Sequence, residues 1–472
     1  MDQEDIRNYS DQAAQVLLNK QGTASSVAGG WMMIATILIE AWDLYAIAFV
    51  LVFIKETYNP SVLQFALIGA VVQAGALIGA LGGGYIADRF GRKKVFIATM
   101  VLFIVLALAQ SFVQDVWQLI AIRFLLGLPL GSDIANGYAY IMESMSKGVR
   151  EQMGSRWQFM FGVGEVASLI VITLLYMTGM SHELLWRLSL GLGAVPAIVL
   201  LIGRINLPET PLSLIHRGKF VEAKRVSMEL FNEPLAMLPN QDVQIEHPKV
   251  GDFLKVIWAD PIKRKASIFG WISNACQGAE FTAWGFYIPV ILVLAGIGVS
   301  SGGSLVGTNL VTALIFCIAT ISGYVAPLML PKIGHRGVAM WGFGMAFCAL
   351  IVGGYAIGHD MKLLIVVAAI VLMWGHYWDA SNGMTINAIA APARFKATAS
   401  GFAYMFVKGA AFFGAFVFPL ISAKLGASGA TYFVALISLT GFLAAKFILP
   451  EMYNYVETEG GPAVKSAAVA AE

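Results

Sequence analysis

Charge is scarce in this chain of 472 residues: 13% are Asp, Glu, Lys or Arg, 58% are hydrophobic, and the mean hydropathy is +0.72. A water-soluble core of this length could not hide that much apolar surface, so a lipid bilayer is part of the chain's solvent. Cysteine is scarcer still. Cys276, Cys317 and Cys348 all lie in apolar stretches, which excludes a disulfide framework and leaves them as small packing residues. The formal net charge of +2 is too small for a nucleic-acid-binding or polybasic surface protein. Residues 1–27 are polar and acidic and lack the basic start and short apolar core of a cleavable signal, so the first apolar run is expected to act as an uncleaved anchor. No nucleophile–base pair, metal-ligand cluster or phosphate-binding glycine loop stands out. This argues against an enzyme, a cofactor and a metal site.

What is abundant is long apolar runs, each of roughly 20 to 28 residues and so able to cross about 30 Å of hydrocarbon as a helix. Their placement predicts spans at about 28–54, 62–87, 94–113, 117–145, 155–179, 185–206, 266–297, 304–330, 337–358, 362–391, 396–423 and 428–449. The pattern is six, a gap and six. The gap, 207–265, is polar and basic and reads as a linker with short amphipathic helices; 451–472 reads as a tail. Arg89, Arg92, Lys93, Lys94, Lys147, Arg150, Arg156, the linker bases, Lys332, Arg336, Arg394 and Lys396 fall on the linker side, which places linker and both termini in the cytoplasm of a multi-pass membrane protein. Two six-helix bundles, 28–206 and 266–450, predict a parallel repeat with a site between them near the midplane. Gly75, Gly79 and Gly83, and Gly127, Gly131, Ala135 and Ala139, form smooth stripes that read as helix packing.

The segment Gly84-Tyr-Ile-Ala-Asp88-Arg89-Phe-Gly91-Arg92-Lys93-Lys94 resembles the signature of the major facilitator superfamily, at the expected place between spans 2 and 3. The resemblance implies an all-α membrane fold of twelve helices in two bundles, working as a monomer by alternating access. It also implies a conformational latch of Asp88, Arg89, Gly91, Arg92, Glu143, Arg150 and Arg394. Trp186-Arg187, Gly193-Ala-Val-Pro196 and Leu207-Pro208-Glu209-Thr210-Pro211 are similar to the sugar porters, with Leu212-Ser213 where those carry Arg-Trp. Glu40-Ala-Trp-Asp43 on span 1, the run from Arg123 through Asp133 to Glu143 on span 4, and Gly401 with Lys408-Gly409 on span 11 resemble the phosphate and organic-anion proton symporters.

A charge at the bilayer centre costs roughly 2.5 to 3.5 kcal/mol on insertion scales, so it should face a cavity or a partner. Asp43, Asp133, Glu165, Glu280, His376, Asp379 and Lys408 all fall near the middle of their spans, which suggests one shared site. Glu40, Gln158, Gln277, Thr282 and Tyr287 add polar groups, and Trp42, Trp284 and Trp378 are candidate walls. Spans 1, 4, 5, 7, 10 and 11 are expected to line it. Asp43 is the leading proton-coupling group; by the resemblance Arg123 is its switch partner, with Asp133 and Glu280 as further candidates. Lys408 reads as the counter-charge of an anionic substrate, its alternative being a permanent salt bridge to one of these acids. The leading expectation is therefore a proton-coupled symporter of phosphate or an organic acid. A sugar or polyol porter is the alternative, favoured by Gln158 and Gln277, and a non-transporting nutrient sensor is a third reading.

Overall fold

The computed structural model describes residues 3–20, 22–145, 148–245, 250–285, 288–294, 296 and 305–455, and among them every regular element is a helix. Nine helical stretches among the described residues are long and apolar enough to cross a bilayer. One of them, Val306–Gly358, holds spans 8 and 9, interrupted at Gly334 (φ 67°, ψ 176°). Span 11 is the part of Lys396–Phe447 before Gly426 (φ 69°, ψ 170°), and span 12 the part after it. Span 7 is the interrupted helix Pro261–Glu280, Phe281–Gly285 and Ile288–Leu294. The chain is an all-α membrane protein with twelve spans in two bundles of six.

The first bundle comprises span 1 (Ala24–Ile34 and Thr36–Tyr58), span 2 (Val62–Phe90), span 3 (Arg92–Gln110), span 4 (Val116–Ser144), span 5 (Val149–Ser155 and Trp157–Met177) and span 6 (His182–Gly191 and Ala194–Ile205). Large apolar side chains such as Val105, Leu174, Val199, Leu314 and Leu436 stand outward, where lipid satisfies them at no hydrophobic cost. Inside, small residues let backbones touch. A methyl on Gly79 would sit 2.0 Å from the Leu128 carbonyl oxygen, and one on Gly131 2.0 Å from that of Ala76, so the glycine stripes weld span 2 to span 4. The same device joins the bundles. Gly401 of span 11 lies against the Ala80 carbonyl of span 2, and Gly162 of span 5 against Thr320 of span 8.

Residues 3–19 carry more order than a polar leader implies. The helix Gln3–Asn19 buries Ala13, Ala14, Leu17 and Leu18, at helical spacing, against Leu212, Ile215, Phe220, Ala223, Val226 and Leu230 of the linker helices Pro211–His216 and Phe220–Phe231. The repeat between the halves also reaches side chains. Glu209, in Leu207-Pro208-Glu209 after span 6, accepts from the backbone N–H groups of Arg92 (3.0 Å) and Lys93 (3.2 Å) at the start of span 3. Glu451, in Leu449-Pro450-Glu451 after span 12, accepts from those of His335 (2.9 Å) and Arg336 (3.3 Å) at the start of span 9. Each carboxylate meets a helix N-terminus, where free N–H groups and the dipole favour an anion. Both starts follow a glycine with positive φ, Gly91 (102°) and Gly334 (67°), a backbone region that side chains strain.

Candidate functional site

Between the bundles lies a small polar cavity, about 30 Å³ of space open to water centres, room for about one or two waters. Glu40 of span 1, Gln158 of span 5, Gln277 and Thr282 of span 7, His376 of span 10 and Lys408 of span 11 line it, as the sequence suggests. Its apolar walls are Trp157, Phe161 and Phe281, and Gln73 and Tyr404 complete the polar rim. The walls expected from Trp42, Trp284 and Trp378 are elsewhere. Trp42 donates to the Ser189 carbonyl (3.2 Å), Trp284 to Thr431 (3.0 Å), and Trp378 packs beside Ala326 and Leu330. Span 2 contributes through Gln73 and span 4 contributes no lining residue, because its small stripe is spent on span 2. Tyr287 lies outside the described residues.

Lys408 does not stand free in this cavity. Its ammonium is ion-paired with the Glu40 carboxylate across the bundle interface, the Tyr404 hydroxyl donates to the same carboxylate, and the ammonium lies 4.9 Å from the Tyr404 ring centroid. Tyr404 precedes Lys408 by one helical turn, so both reach Glu40 from one face of span 11. The alternative of a salt bridge is thus the observed arrangement, and the expected open counter-charge for an anion is already occupied.

The other mid-membrane acids are sorted into separate sites. Asp43 meets Arg123 through two contacts, Nη2 to Oδ2 at 3.1 Å and Nη1 to Oδ1 at 3.4 Å. Arg123 also donates to the Ile68 carbonyl (2.8 Å) and Gln110 (3.0 Å), so the guanidinium is well satisfied although fully buried. Asp133 sits away from the cavity lining. It holds Arg204 of span 6 at 2.8 Å and accepts from Thr99 at 2.9 Å, while Arg204 donates to the Met32 and Met33 carbonyls near the break in span 1 at Ala35. Sequence alone overlooked Arg204, which lies close to the end of its span and reads there as a positive-inside residue. Glu165 accepts from the Tyr377 hydroxyl. Glu280 and Asp379 gather around His376, behind the cavity wall.

On the linker side a network crosses the bundles. Asp88, at the end of span 2, accepts from the Thr398 N–H (2.7 Å), the Thr398 hydroxyl (2.6 Å) and the Ala397 N–H (3.3 Å) at the N-terminus of span 11. Arg92 bridges Asp88 (2.7 Å) and Glu143 (2.6 Å), and Thr210 of the linker donates to Glu143 at 2.5 Å. Arg89 and Arg394 flank Asp88 beside His216 in a narrow gap, and Arg150 reaches the Tyr455 carbonyl at 3.5 Å. Burial pushes the His216 imidazole down to about 4 and raises the Glu209 carboxyl against the pull of Arg92. The parts can therefore do two things: hold the linker side closed by charge-assisted hydrogen bonds, and hold a small polar molecule between amides, hydroxyls and aromatic faces.

Residues 29–456 match the model of the family described as sugar (and other) transporter. The probable metabolite transport protein CsbC of Bacillus subtilis is 27% identical over 428 residues, 88% of this chain and 89% of its own length. The arabinose-proton symporter of Escherichia coli is 30% identical over 345 residues, 71% of this chain and 67% of that protein. The crystal structure of a double-tryptophan mutant of XylE superposes with a TM-score of 0.73 at 17% identity over 91% of this chain and 97% of that one, a likeness of fold. The chain belongs to the sugar (and other) transporter family, and it shares its fold with the major facilitator transporter XylE.

Proposed function

We propose that this protein is a proton-coupled symporter of a neutral sugar or polyol, working by alternating access. The observation that carries this reading is the Glu40–Lys408 pair. With its ammonium neutralised, the cavity offers Gln73, Gln158, Gln277 and Thr282, which both donate to and accept from hydroxyls, and the faces of Trp157, Phe161 and Phe281 for a sugar's apolar side. The anionic reading loses its support for the same reason, and the arabinose-proton symporters of two bacteria are among the relatives.

In this reading Asp43 takes and releases the coupling proton, and Arg123 holds its carboxylate when the proton has left. Asp88, Arg89, Gly91, Arg92, Glu143, Arg150 and Arg394 bias the bundles without touching the solute. Residues 28–206 and 266–450 are the moving bundles, 207–265 the linker and 451–472 the tail; the linker and both termini face the cytoplasm, and a monomer is the working unit. The test is uptake into proteoliposomes of L-arabinose, D-xylose, myo-inositol, phosphate and a monocarboxylate, with and without an inward proton gradient. Proton-stimulated uptake of a sugar or polyol is expected. Accumulation of phosphate or the monocarboxylate alone would sink the reading.

A further inference from the structure

Behind the cavity wall, His376 is flanked by two carboxyls and no stronger base. Its Nδ1 is 3.0 Å from Glu280 Oε1 and 3.8 Å from Asp379 Oδ1, and the Ser438 hydroxyl of span 12 donates to the other Glu280 oxygen. All three ionisable residues are at most 1% exposed. Among the described residues no lysine or arginine forms an ion pair with either acid, and the other titratable group close to both is Cys276 of span 7. Tyr377, next to His376, is turned to Glu165 instead.

The charges can be counted from these contacts. One proton lies in the 3.0 Å contact between Nδ1 and Oε1, which leaves imidazole and Glu280 with a single negative charge shared with Ser438. Asp379 is then left over: neither of its oxygens has a hydrogen-bond partner among the described atoms. An ionised carboxylate so placed would cost several kcal/mol. His376 Nε2 also lacks a partner, and His376 lines the central cavity while Asp379 does not.

We propose that Glu280, His376 and Asp379 form a second proton-binding site, in the second bundle, which exchanges with the central cavity through His376. In the closed form described here Asp379 carries the proton. When the cavity hydrates, cavity water hands a proton to the bare Nε2 and the Nδ1 proton passes to Glu280 Oε1, so the cluster gains one proton and its charge goes from −1 to 0 while Asp379 keeps its own; the reverse path returns the proton to the cavity. The site is separate from Asp43 and Arg123, so each transport cycle moves two protons, a statement that rests on the symporter reading above.

The first measurement is independent of transport. Infrared spectra of the purified wild type at neutral pH should contain a protonated-carboxyl stretch that Asp379→Asn removes, that Asp43→Asn leaves alone, and that Asp379→Glu moves without abolishing. His376→Gln should slow deuterium exchange of this carboxyl by about tenfold or more, since the relay is cut. No band lost in Asp379→Asn overturns the proposal. So does a stoichiometric zinc or manganese ion that the wild type holds and the variants lose, because a metal would then supply the positive charge. The second measurement is D-xylose or L-arabinose accumulation in proteoliposomes with one pH unit of gradient and no membrane potential. Two coupled protons allow about 100-fold accumulation and one allows about tenfold, so Glu280→Gln, which leaves the Nδ1 proton nowhere to go, should drop the limit from the first figure to the second. A wild type limited to the lower figure overturns the second site and leaves the symporter reading standing. Absence of any coupled sugar uptake, with the infrared band behaving as described, sinks the symporter reading and leaves the site.

Discussion

Glu40 and Lys408 come from opposite bundles and neutralise each other in the wall of the central cavity, with Tyr404 holding the carboxylate in place. Because both are buried, either one alone is a liability. Glu40→Gln or Lys408→Gln should each cost about 3–5 kcal/mol of stability or shift the bundles apart, the scale for breaking a buried pair, while the double variant recovers most of the loss. A double-mutant cycle read by thermal unfolding in detergent checks this. Additive single effects would show that the pair is not formed in the resting protein.

Sugar recognition should follow the amides rather than the charge. Gln277→Ala should weaken binding of the transported sugar by about 1–3 kcal/mol, because hydroxyls that it satisfies are left unpaired. The Glu40→Gln, Lys408→Gln double variant should stay within about a few-fold of wild type. Calorimetric titration of both proteins decides between them; the opposite order would return the charge to the centre of substrate recognition.

Asp43→Asn should remove the proton that Asp43 carries, cutting the accumulation that one pH unit supports from about 100-fold to about tenfold, and preserve counterflow, since an amide cannot cycle through a charged state. Arg123 keeps Gln110 and the Ile68 carbonyl as partners, so the variant should fold. Uphill uptake at the wild-type level would exclude Asp43 as a coupling group.

Asp88→Asn removes a charge that faces both Arg92 and the N-terminus of span 11. The closed linker side should lose about 1–2 kcal/mol, a shift of about 5- to 30-fold toward forms open on that side. Distances between spin labels on the linker-side ends of spans 2 and 11 report it, and an unchanged distance distribution would count against the latch.

His216 gives the linker a pH dependence with a defined sign. Its pKa is lowered from the usual 6.5 to about 4 by burial, so between these values the undocked form binds more protons than the docked form. Docking stability is then full above about 6.5 and falls by about 1.4 kcal/mol per pH unit on the way down toward 4. Proteolysis of the linker between pH 7 and 4.5 should accelerate in the wild type and much less in His216→Leu.

The span pattern was legible because crossing a bilayer is a one-dimensional requirement: about 20 apolar residues in a row, whatever their neighbours. The motif of Asp88 to Lys94 pointed to the linker-side network of Asp88 and Arg92 for a similar reason, being contiguous in the chain. The docking of Gln3–Asn19 was harder to see, since its buried stripe of Ala13, Ala14, Leu17 and Leu18 is short and its partner lies some 200 residues on.

Hydropathy and residue type alone determined that charges such as Asp43, Asp133, Glu280 and Lys408 had to be compensated, and roughly at which depth. Which partner each one found was decided by the rotation of each helix about its own axis. Residues a few positions apart on one span point to different neighbours, so Asp43 turns to Arg123 while Glu40, one turn earlier, turns to Lys408. Arg204 reaches down its span to claim Asp133, and span 4, smooth with glycine, packs on span 2 and leaves the cavity wall to Gln73. A sequence lists the acids and bases at one depth, but only close packing in three dimensions assigns each acid its base, and here that assignment is what turns the proposed substrate from an anion to a neutral sugar or polyol.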